Sequence, residues 1–251
     1  MTTTVASAGG AKPRAAAAGA GGLDSLQIAG LVPFSTVDWP GHMVATVFLQ
    51  GCPWTCHYCH NPALQSNTAP GTLTWGQVWT LLRNRQGLLD ALVLTGGEPT
   101  RQPAALAAAQ AARSLGYRVG LHTAGAYPDR LSAMLPELDW VGLDIKASRP
   151  NYAQLAGSPV AARRTWQSLR LIQESGVDFE VRTTVAPGMA ADTVAVAREL
   201  LAAGVSRYAI QQARAEGTTT LTDAHPPGWD EEFADLVGSI RTLGFPDVIV
   251  R

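Results

Sequence analysis

Short apolar stretches alternate with helix-like stretches along most of this chain. Apolar runs predict buried strands, and they lie at 44–49, 91–95, 118–123, 140–146, 178–185 and 207–212, with a further candidate at 248–251. Segments with helical periodicity lie between them, at 75–85, 103–115, 129–135, 161–175, 191–202 and 230–243. Near-continuous apolar strands separated by helices are typical of a parallel sheet covered by helices. We therefore expect an α/β fold in which the sheet curls into a partial (β/α)6 barrel.

All three cysteines of the chain, Cys52, Cys56 and Cys59, lie within eight residues, directly after the first apolar run. An odd number of cysteines in a domain of this size argues against a disulfide framework. Two metal sites remain open. The thiolates can hold three irons of a four-iron cluster and leave the fourth iron without a protein ligand, or His57 or His60 can complete a Cys3His zinc site. The single compact loop favours the cluster, because zinc ligands usually come from two separated pairs.

The composition indicates one domain. The chain has 251 residues, 46% of them hydrophobic, and a net charge of −1, so one core can form and no nucleic-acid partner is indicated. No apolar run reaches the ~18 residues that cross a bilayer, so no membrane partner is expected. The Ala/Gly-rich residues 1–22 predict a disordered tail without a signal peptide, which leaves 23–251 as the domain. Free thiols without a secretion signal point to the cytoplasm.

Polar residues follow the ends of the predicted strands one after another. The carboxyl ends of parallel barrel strands form one rim, where binding sites lie. After the cysteine loop, the polar residues at this rim are Gly96-Gly97-Glu98-Pro99, Thr123, Asp144, Lys146, Arg182, Thr184, Gln211 and Gln212. Each of them alone can be a strand-end residue that reaches water. Their succession predicts the wall of one polar pocket.

Several motifs resemble those of the radical S-adenosylmethionine (SAM) enzymes. The CxxxCxxC spacing, with Tyr58 before the last cysteine, is followed after about 40 residues by GGEP, and this combination is similar to their signature. The stretches 34–41, 48–62, 174–185 and 210–212 resemble the glycyl-radical-enzyme activating proteins within that superfamily. They are most similar to the activating proteins of anaerobic ribonucleoside-triphosphate reductase. The resemblance runs from about residue 26 to the end of the sequence.

This resemblance implies a fold, a reaction and partners. The fold is a partial (β/α)6 barrel of the radical SAM type, open for a protein substrate. One [4Fe–4S] cluster, held by the three cysteines, would pass an electron to SAM and split it into methionine and a 5′-deoxyadenosyl radical. That radical would take a hydrogen atom from a glycine of the anaerobic reductase and leave a glycyl radical there. A flavodoxin or a ferredoxin would supply the electron.

The chemical groups of SAM suggest roles for the residues at the rim. Gly96 and Gly97 are expected to let the backbone approach the amino group of SAM, with Glu98 beside them. Lys146 and Arg182 suit its carboxylate and ribose. The expected SAM contacts also include Tyr58, Thr123, Asp144 and one of two adjacent glutamines, of which Gln212 is preferred to Gln211. Beyond the cofactors no catalytic residue is expected, although Asp38, at the barrel mouth, is a candidate contact for the substrate loop and equally a plain turn residue.

One segment departs from the family pattern. Activating proteins often have Asp-Thr-Asn-Gly at the third strand's end, where the aspartate helps to hold a monovalent cation, but residues 122–125 are His-Thr-Ala-Gly. His122 therefore argues against a cation site. Two other functions stay open, namely a radical SAM enzyme for a small molecule such as a deazaguanine precursor, and a non-catalytic iron–sulfur or zinc module. Residues 213–228 are predicted to form a loop near the substrate side.

Overall fold

The computed structural model describes residues 22–214, 218 and 226–251. Residues 1–21 of the predicted tail, and residues 215–217 and 219–225 of the predicted loop, lie outside these described residues. Within them the chain forms eight strands, β1 to β8, at Ile28–Ser35, Val44–Leu49, Ala91–Gly96, Arg118–Thr123, Trp140–Asp144, Asp178–Val185, Arg207–Gln212 and Asp247–Val250. Seven α-helices, α1 to α7, occupy Trp75–Asn84, Ala104–Ser114, Pro128–Met134, Tyr152–Ala156, Ala161–Ser175, Ala190–Ala202 and Trp229–Arg241 of the same described part.

The strands form one sheet whose spatial order follows the chain from β1 to β8. β1 pairs with β2 in the antiparallel direction, and every later pair is parallel. β1 and β8 are the two ends of the strand order. This arrangement confirms the predicted α/β fold with a partial barrel, which β1 extends by a strand that the apolar pattern does not predict.

The helices cover the outer face of the sheet. Trp166, Leu169 and Ile172 of α5 are buried against it, as their three-residue spacing predicts. The helix ends at Gly176, whose φ of 75° is the left-handed conformation that glycine adopts easily. Across the described residues, no helix combines the length and the apolar character that a bilayer span requires.

A smaller apolar cluster fills the amino-terminal end of the barrel. Val44, Ala91 and Trp140 begin three of the strands and pack there with Trp39. The rings of Trp39 and Trp140 are stacked with their centres 5.5 Å apart. Truncating a buried tryptophan costs about 3–5 kcal/mol, so this pair is a substantial part of the barrel core. The opposite, carboxyl-terminal end is left for polar side chains.

Candidate functional site

The three cysteines lie on one loop and line one cavity. The loop leaves β2 after Leu49, and Cys52, Cys56 and Cys59 line a cavity of about 170 Å³ at the strand ends. All three thiols are free. In the described residues, no three His, Cys, Asp or Glu side chains are grouped closely enough to bind a single metal ion. A [4Fe–4S] cluster needs a wider arrangement, because each thiolate binds a different iron.

Backbone hydrogen bonds hold this loop in place. The amide of Gly51 donates to the carbonyl of Leu64 at 2.8 Å, and the amide of Thr55 donates to the carbonyl of Ala156 at 3.1 Å. The second bond ties the loop to the end of α4, a helix of five residues that the sequence pattern does not predict. The cysteine loop is therefore fixed from both sides.

Burial dominates the electrostatics of two of the thiols. It raises the pKa of Cys52 to about 12, against the lowering effect of the Trp54 amide, and it also raises the pKa of Cys56. The ammonium of Lys146 acts in the opposite direction on both thiols. Thiols in such surroundings hold their protons until a metal replaces them. Three soft sulfur donors on one cavity are a ligand set that fits an iron–sulfur cluster.

Tyr58 lines the same cavity and is buried, with 3% of its surface exposed. Its hydroxyl is buried and has no hydrogen-bond partner among the described residues. The Lys146 ammonium lies 6.0 Å from the centre of the ring. Since buried polar atoms are nearly always paired, an orphaned hydroxyl in a residue that lines the cavity fits a site built for a polar ligand.

Two glycines bring the end of β3 against the cysteine loop. A Cβ atom at Gly97 would lie 2.4 Å from the carbonyl oxygen of Gly51, and one at Gly96 would lie 2.3 Å from the amide nitrogen of Leu49. Gly96 also has a φ of 122°, which other residues rarely adopt. Only glycine fits at either position, and both glycines line the cavity as predicted residues of the site.

Glu98 is buried behind the cavity rather than on its wall. Its side chain is fully buried, and its carboxylate accepts hydrogen bonds from the Thr100 hydroxyl at 2.6 Å, the Thr123 hydroxyl at 2.7 Å and the Ala124 amide at 2.8 Å. Burial raises its pKa, while these donors lower it. Glu98 therefore ties the loop after β3 to the end of β4. The structure does not bring it among the cavity-lining residues, although Thr123 is one of them.

Asp144 and two cations form the far wall of the site. Arg182 donates from Nε to the Asp144 carboxylate at 3.1 Å, and the Lys146 ammonium lies 3.5 Å from its other oxygen. Arg182 holds the pKa of Asp144 below its ordinary value despite burial. Lys146 lines the cysteine cavity, whereas Arg182 lines a second cavity of about 540 Å³, and Asp144 lines both.

His122 is a neutral hydrogen-bond donor in the same group. Burial and the neighbouring Arg182 lower its pKa to about 3. Its Nε2 lies 2.6 Å from the carbonyl oxygen of Asp38, so this nitrogen carries the proton and donates. Its Nδ1 then accepts from the Thr95 hydroxyl at 3.4 Å. Because His122 is neutral and Asp144 already has two cationic partners, these residues do not fit an alkali-cation site.

The second cavity lies inside the barrel and adjoins the first. Asp38 lines it, and its carboxylate accepts a hydrogen bond from Thr46 at 2.7 Å. Thr46 is in the middle of β2, so Asp38 lies level with the centre of that strand, deeper than the barrel mouth where the sequence pattern suggests it. Its backbone carbonyl is the acceptor of His122.

The two adjacent glutamines of β7 differ in what they line. Gln211 lines both cavities and donates to the Thr184 hydroxyl at 2.7 Å, whereas Gln212 lines only the second cavity. The structure thus brings Gln211 to the cysteine cavity in place of the preferred Gln212.

One charged pair beside the second cavity is not predicted from the sequence. Arg251 lines that cavity and binds Glu180 through two hydrogen bonds of 2.7 and 2.9 Å. The Glu180 side chain is 1% exposed. The sequence signal that could have indicated this pair is Glu180 itself, a charged residue within the predicted buried strand 178–185, because a buried carboxylate requires a partner.

Comparison with known proteins identifies the superfamily. The model of the radical SAM superfamily matches residues 46–201, which is more than half of the chain. The solved structure of Streptococcus suis SuiB bound to S-adenosylmethionine matches with a TM-score of 0.62 and 12% identity over 80% of this chain and 48% of that chain. A structure of anSMEcpe with bound AdoMet also has a TM-score of 0.62, with 14% identity over 80% of this chain and 61% of that chain. The chain spans about half to three fifths of these structures, and at such identities the likeness concerns the fold.

Two curated relatives align over longer shares of their own length. A glycyl-radical enzyme activating enzyme of Methanocaldococcus jannaschii is 29% identical over 171 residues, 64% of this chain and 68% of that protein. The pyruvate formate-lyase-activating enzyme of Streptococcus mutans is 27% identical over 187 residues, 66% of this chain and 69% of that protein. The chain belongs to the radical SAM superfamily. Its cofactors are therefore those of the superfamily, a [4Fe–4S] cluster and SAM, rather than zinc.

Proposed function

We propose that this protein is a glycyl-radical-enzyme activating enzyme whose partner is an anaerobic ribonucleoside-triphosphate reductase. The observation that carries the activity is the alignment, over about two thirds of both chains, with relatives named as activating enzymes of glycyl-radical enzymes and of pyruvate formate-lyase. The reductase as partner is supported by the motifs at 34–41, 48–62, 174–185 and 210–212, which taken together are most similar to the activating proteins of that enzyme.

Three cysteines are the proposed cluster ligands. Cys52, Cys56 and Cys59 would each hold one iron, and the fourth iron would be left for SAM. A bound, reduced cluster would supply the electron for reductive cleavage of SAM to methionine, and the radical chemistry that follows would remove one hydrogen atom from a glycine of the partner. Cys56 is buried, whereas Cys52 and Cys59 are partly exposed, so the protein limits the access of water to this chemistry on the Cys56 side.

The other residues of the cavity would bind and orient SAM. Gly96 and Gly97 line the cavity where its methionine end would lie, and they allow the cysteine loop to pack closely against the end of β3. Lys146 carries a positive charge toward its carboxylate, and Asp144 fixes that ammonium. The buried Tyr58 hydroxyl would gain a partner. Thr123 and Gln211 line the same cavity, and Glu98 would act only by holding Thr123 in place.

The second cavity is the proposed entry for the glycine loop of the partner. It adjoins the cysteine cavity through shared residues such as Asp144 and Gln211, so a backbone segment inside it would lie beside SAM. Asp38 and Arg251 offer an acceptor and donors to that segment. A flavodoxin or a ferredoxin would deliver the electron, and free thiols are compatible with the cytoplasm.

Electron paramagnetic resonance tests the proposal. The anaerobically reconstituted protein is mixed with SAM, a reductant and either the reductase or pyruvate formate-lyase. A glycyl-radical doublet should form on the reductase, and Cys59→Ala protein should give none and hold less iron. A doublet on pyruvate formate-lyase alone would show that the reductase is not the partner and that pyruvate formate-lyase is. Release of methionine and 5′-deoxyadenosine without a doublet on either protein would favour a small-molecule substrate.

A further inference from the structure

Four arginines surround one tyrosine on the outer surface of the barrel. Tyr127 lies between two surface cavities of about 420 and 430 Å³ and lines both of them. The guanidinium of Arg130 lies 4.9 Å from the centre of its ring, and that of Arg164 lies 5.8 Å away. Arg101 lines the first cavity and Arg163 lines the second. These five residues are named the arginine surface below.

The positive charge of the arginine surface is not neutralised locally. Asp129 is the single carboxylate that lines either cavity within the described part of the chain. The ion pairs found among the described residues involve other cations, namely Lys146 and arginines such as Arg113 and Arg207. The whole chain has a net charge of −1, so the residues other than the four arginines of this surface carry a net charge of −5. The arginine surface is therefore a positive region on an otherwise acidic molecule.

The arginine surface reaches the back of the cysteine loop. A Cβ atom at Gly51 would lie 2.8 Å from Nη1 of Arg101, so this guanidinium packs directly on the backbone of Gly51. Gly51 immediately precedes Cys52. Arg101 also donates to the carbonyl of Asn67 at 2.9 Å, which fixes its position beside the loop. A protein docked on this surface would therefore contact the chain next to a cluster ligand.

We propose that the arginine surface docks the acidic protein that delivers the electron to the cluster. The inference rests on the proposed function, because that function requires one-electron reduction from outside. The carrier loses one electron and the cluster gains it, and no bond, proton or leaving group is transferred. A surface of one sign attracts a partner of the opposite sign over a distance and orients it before contact. Flavodoxins and ferredoxins with acidic surfaces are carriers of this kind.

A charge-reversal variant tests the docking directly. Arg130 and Arg163 are exposed, so Arg130→Glu with Arg163→Glu should leave the fold intact, which circular dichroism checks. The affinity of the reconstituted protein for oxidised flavodoxin, and for ferredoxin, is measured by calorimetry at low and high salt. We expect binding at least about tenfold weaker for the double variant at low salt, and a smaller loss with salt than in the natural sequence. Arg198→Glu, an exposed change on α6, is the matched control and should alter the affinity less than about twofold.

Methionine release separates this proposal from the proposed function. With flavodoxin as reductant, the double variant should release methionine from SAM at least about tenfold more slowly. With dithionite, it should match the natural sequence. Equal affinity of both proteins for both carriers would overturn the docking proposal, as would arginine-dependent binding of DNA but of neither carrier. Failure of the natural sequence to cleave SAM with dithionite would instead count against the proposed function, and the affinities would still decide the docking.

Discussion

Arg182 donates from Nε to the carboxylate of Asp144 at 3.1 Å across the β5–β6 pair, where the two residues are direct partners in register. The guanidinium lies over Gly142, because a Cβ atom there would be 2.8 Å from its Cζ. Asp144 in turn lies 3.5 Å from the Lys146 ammonium. The position of the Arg182 guanidinium between the two cavities thus depends on the absence of a side chain at Gly142.

Replacing Gly142 with alanine should disturb this ion pair. The new methyl group would displace the Arg182 guanidinium, and overpacking at a buried position costs about 1–3 kcal/mol. Urea unfolding should therefore show a lower free energy of unfolding. Gly76→Ala is the matched control, since its Cβ atom would meet only the Thr74 hydroxyl at 3.7 Å and α1 should gain up to about 1 kcal/mol. If the Gly142→Ala protein unfolded at the same urea concentration as the natural sequence, the predicted clash with Arg182 would be contradicted.

Glu98→Gln should destabilise the protein although the two side chains have the same shape. Every group that faces the Glu98 carboxylate is a donor, from the hydroxyls of Thr100 and Thr123 to the amide of Ala124. An amide NH2 would confront one of them and leave buried donors unpaired, at about 1–3 kcal/mol. Thermal unfolding measures the loss. Glu137→Gln, which removes only a surface pair with Arg113, should cost at most about 1 kcal/mol.

The parallel strands are predictable from the sequence because buried strands are continuously apolar. The predicted bounds 118–123, 178–185 and 207–212 are those observed. β1 is not predicted, since Gly30 and Pro33 interrupt its pattern. Proline is tolerated there because β1 is an edge strand, where the missing amide breaks no ladder bond.

The direction of side chains at the strand ends is less predictable than their position along the chain. Glu98 lies just after β3 and Gln212 is the last residue of β7, yet neither lines the cysteine cavity. Their orientation depends on partners distant in sequence, such as Ala124 for Glu98. The strand predicted at 140–146 is observed at Trp140–Asp144, two residues shorter. Beyond its end, the amide of Lys146 donates to the Tyr152 hydroxyl at 3.2 Å rather than to a neighbouring strand.

Gly97→Ala should lower the iron content of the reconstituted protein. Its Cβ atom would lie 2.4 Å from the Gly51 carbonyl and 2.7 Å from the Leu64 carbonyl, and neither backbone group is a flexible chain end. The cysteine loop must shift, so fewer molecules should present all three thiols together. Iron and sulfide analysis after anaerobic reconstitution checks this. Gly30→Ala, whose Cβ atom would have only ordinary contacts at 3.8 Å, should retain the natural iron content, and equal iron in both variants would refute the steric argument.

SAM binding should not depend on alkali cations. His122 is neutral, and Asp144 is already paired with Arg182 and Lys146, so the pocket lacks the spare carboxylates that such a cation needs. The affinity for SAM should agree within about twofold between potassium, sodium and choline chloride at one ionic strength. His122→Asp adds a carboxylate and should introduce a preference for an alkali cation. Loss of SAM binding by the natural sequence in choline chloride would show that the site holds a cation after all.

The stability of the protein should fall below neutral pH partly because of His122. Its pKa is about 3 in the folded protein against an ordinary value of 6.5. As the pH falls, the unfolded chain therefore binds a proton at His122 that the folded protein does not bind. The contribution of His122 to stability is fully present above pH 6.5 and is lost as the pH falls toward 3. Between pH 7 and 5 this amounts to at most about 2 kcal/mol, at 1.36 kcal/mol per pH unit. His122→Gln retains a donor for the Asp38 carbonyl and does not titrate, so its unfolding free energy should fall less over this range. Because Glu98 and the other titrating groups are common to both proteins, their contributions cancel in the comparison. Parallel pH profiles would show that folding does not shift the pKa of His122.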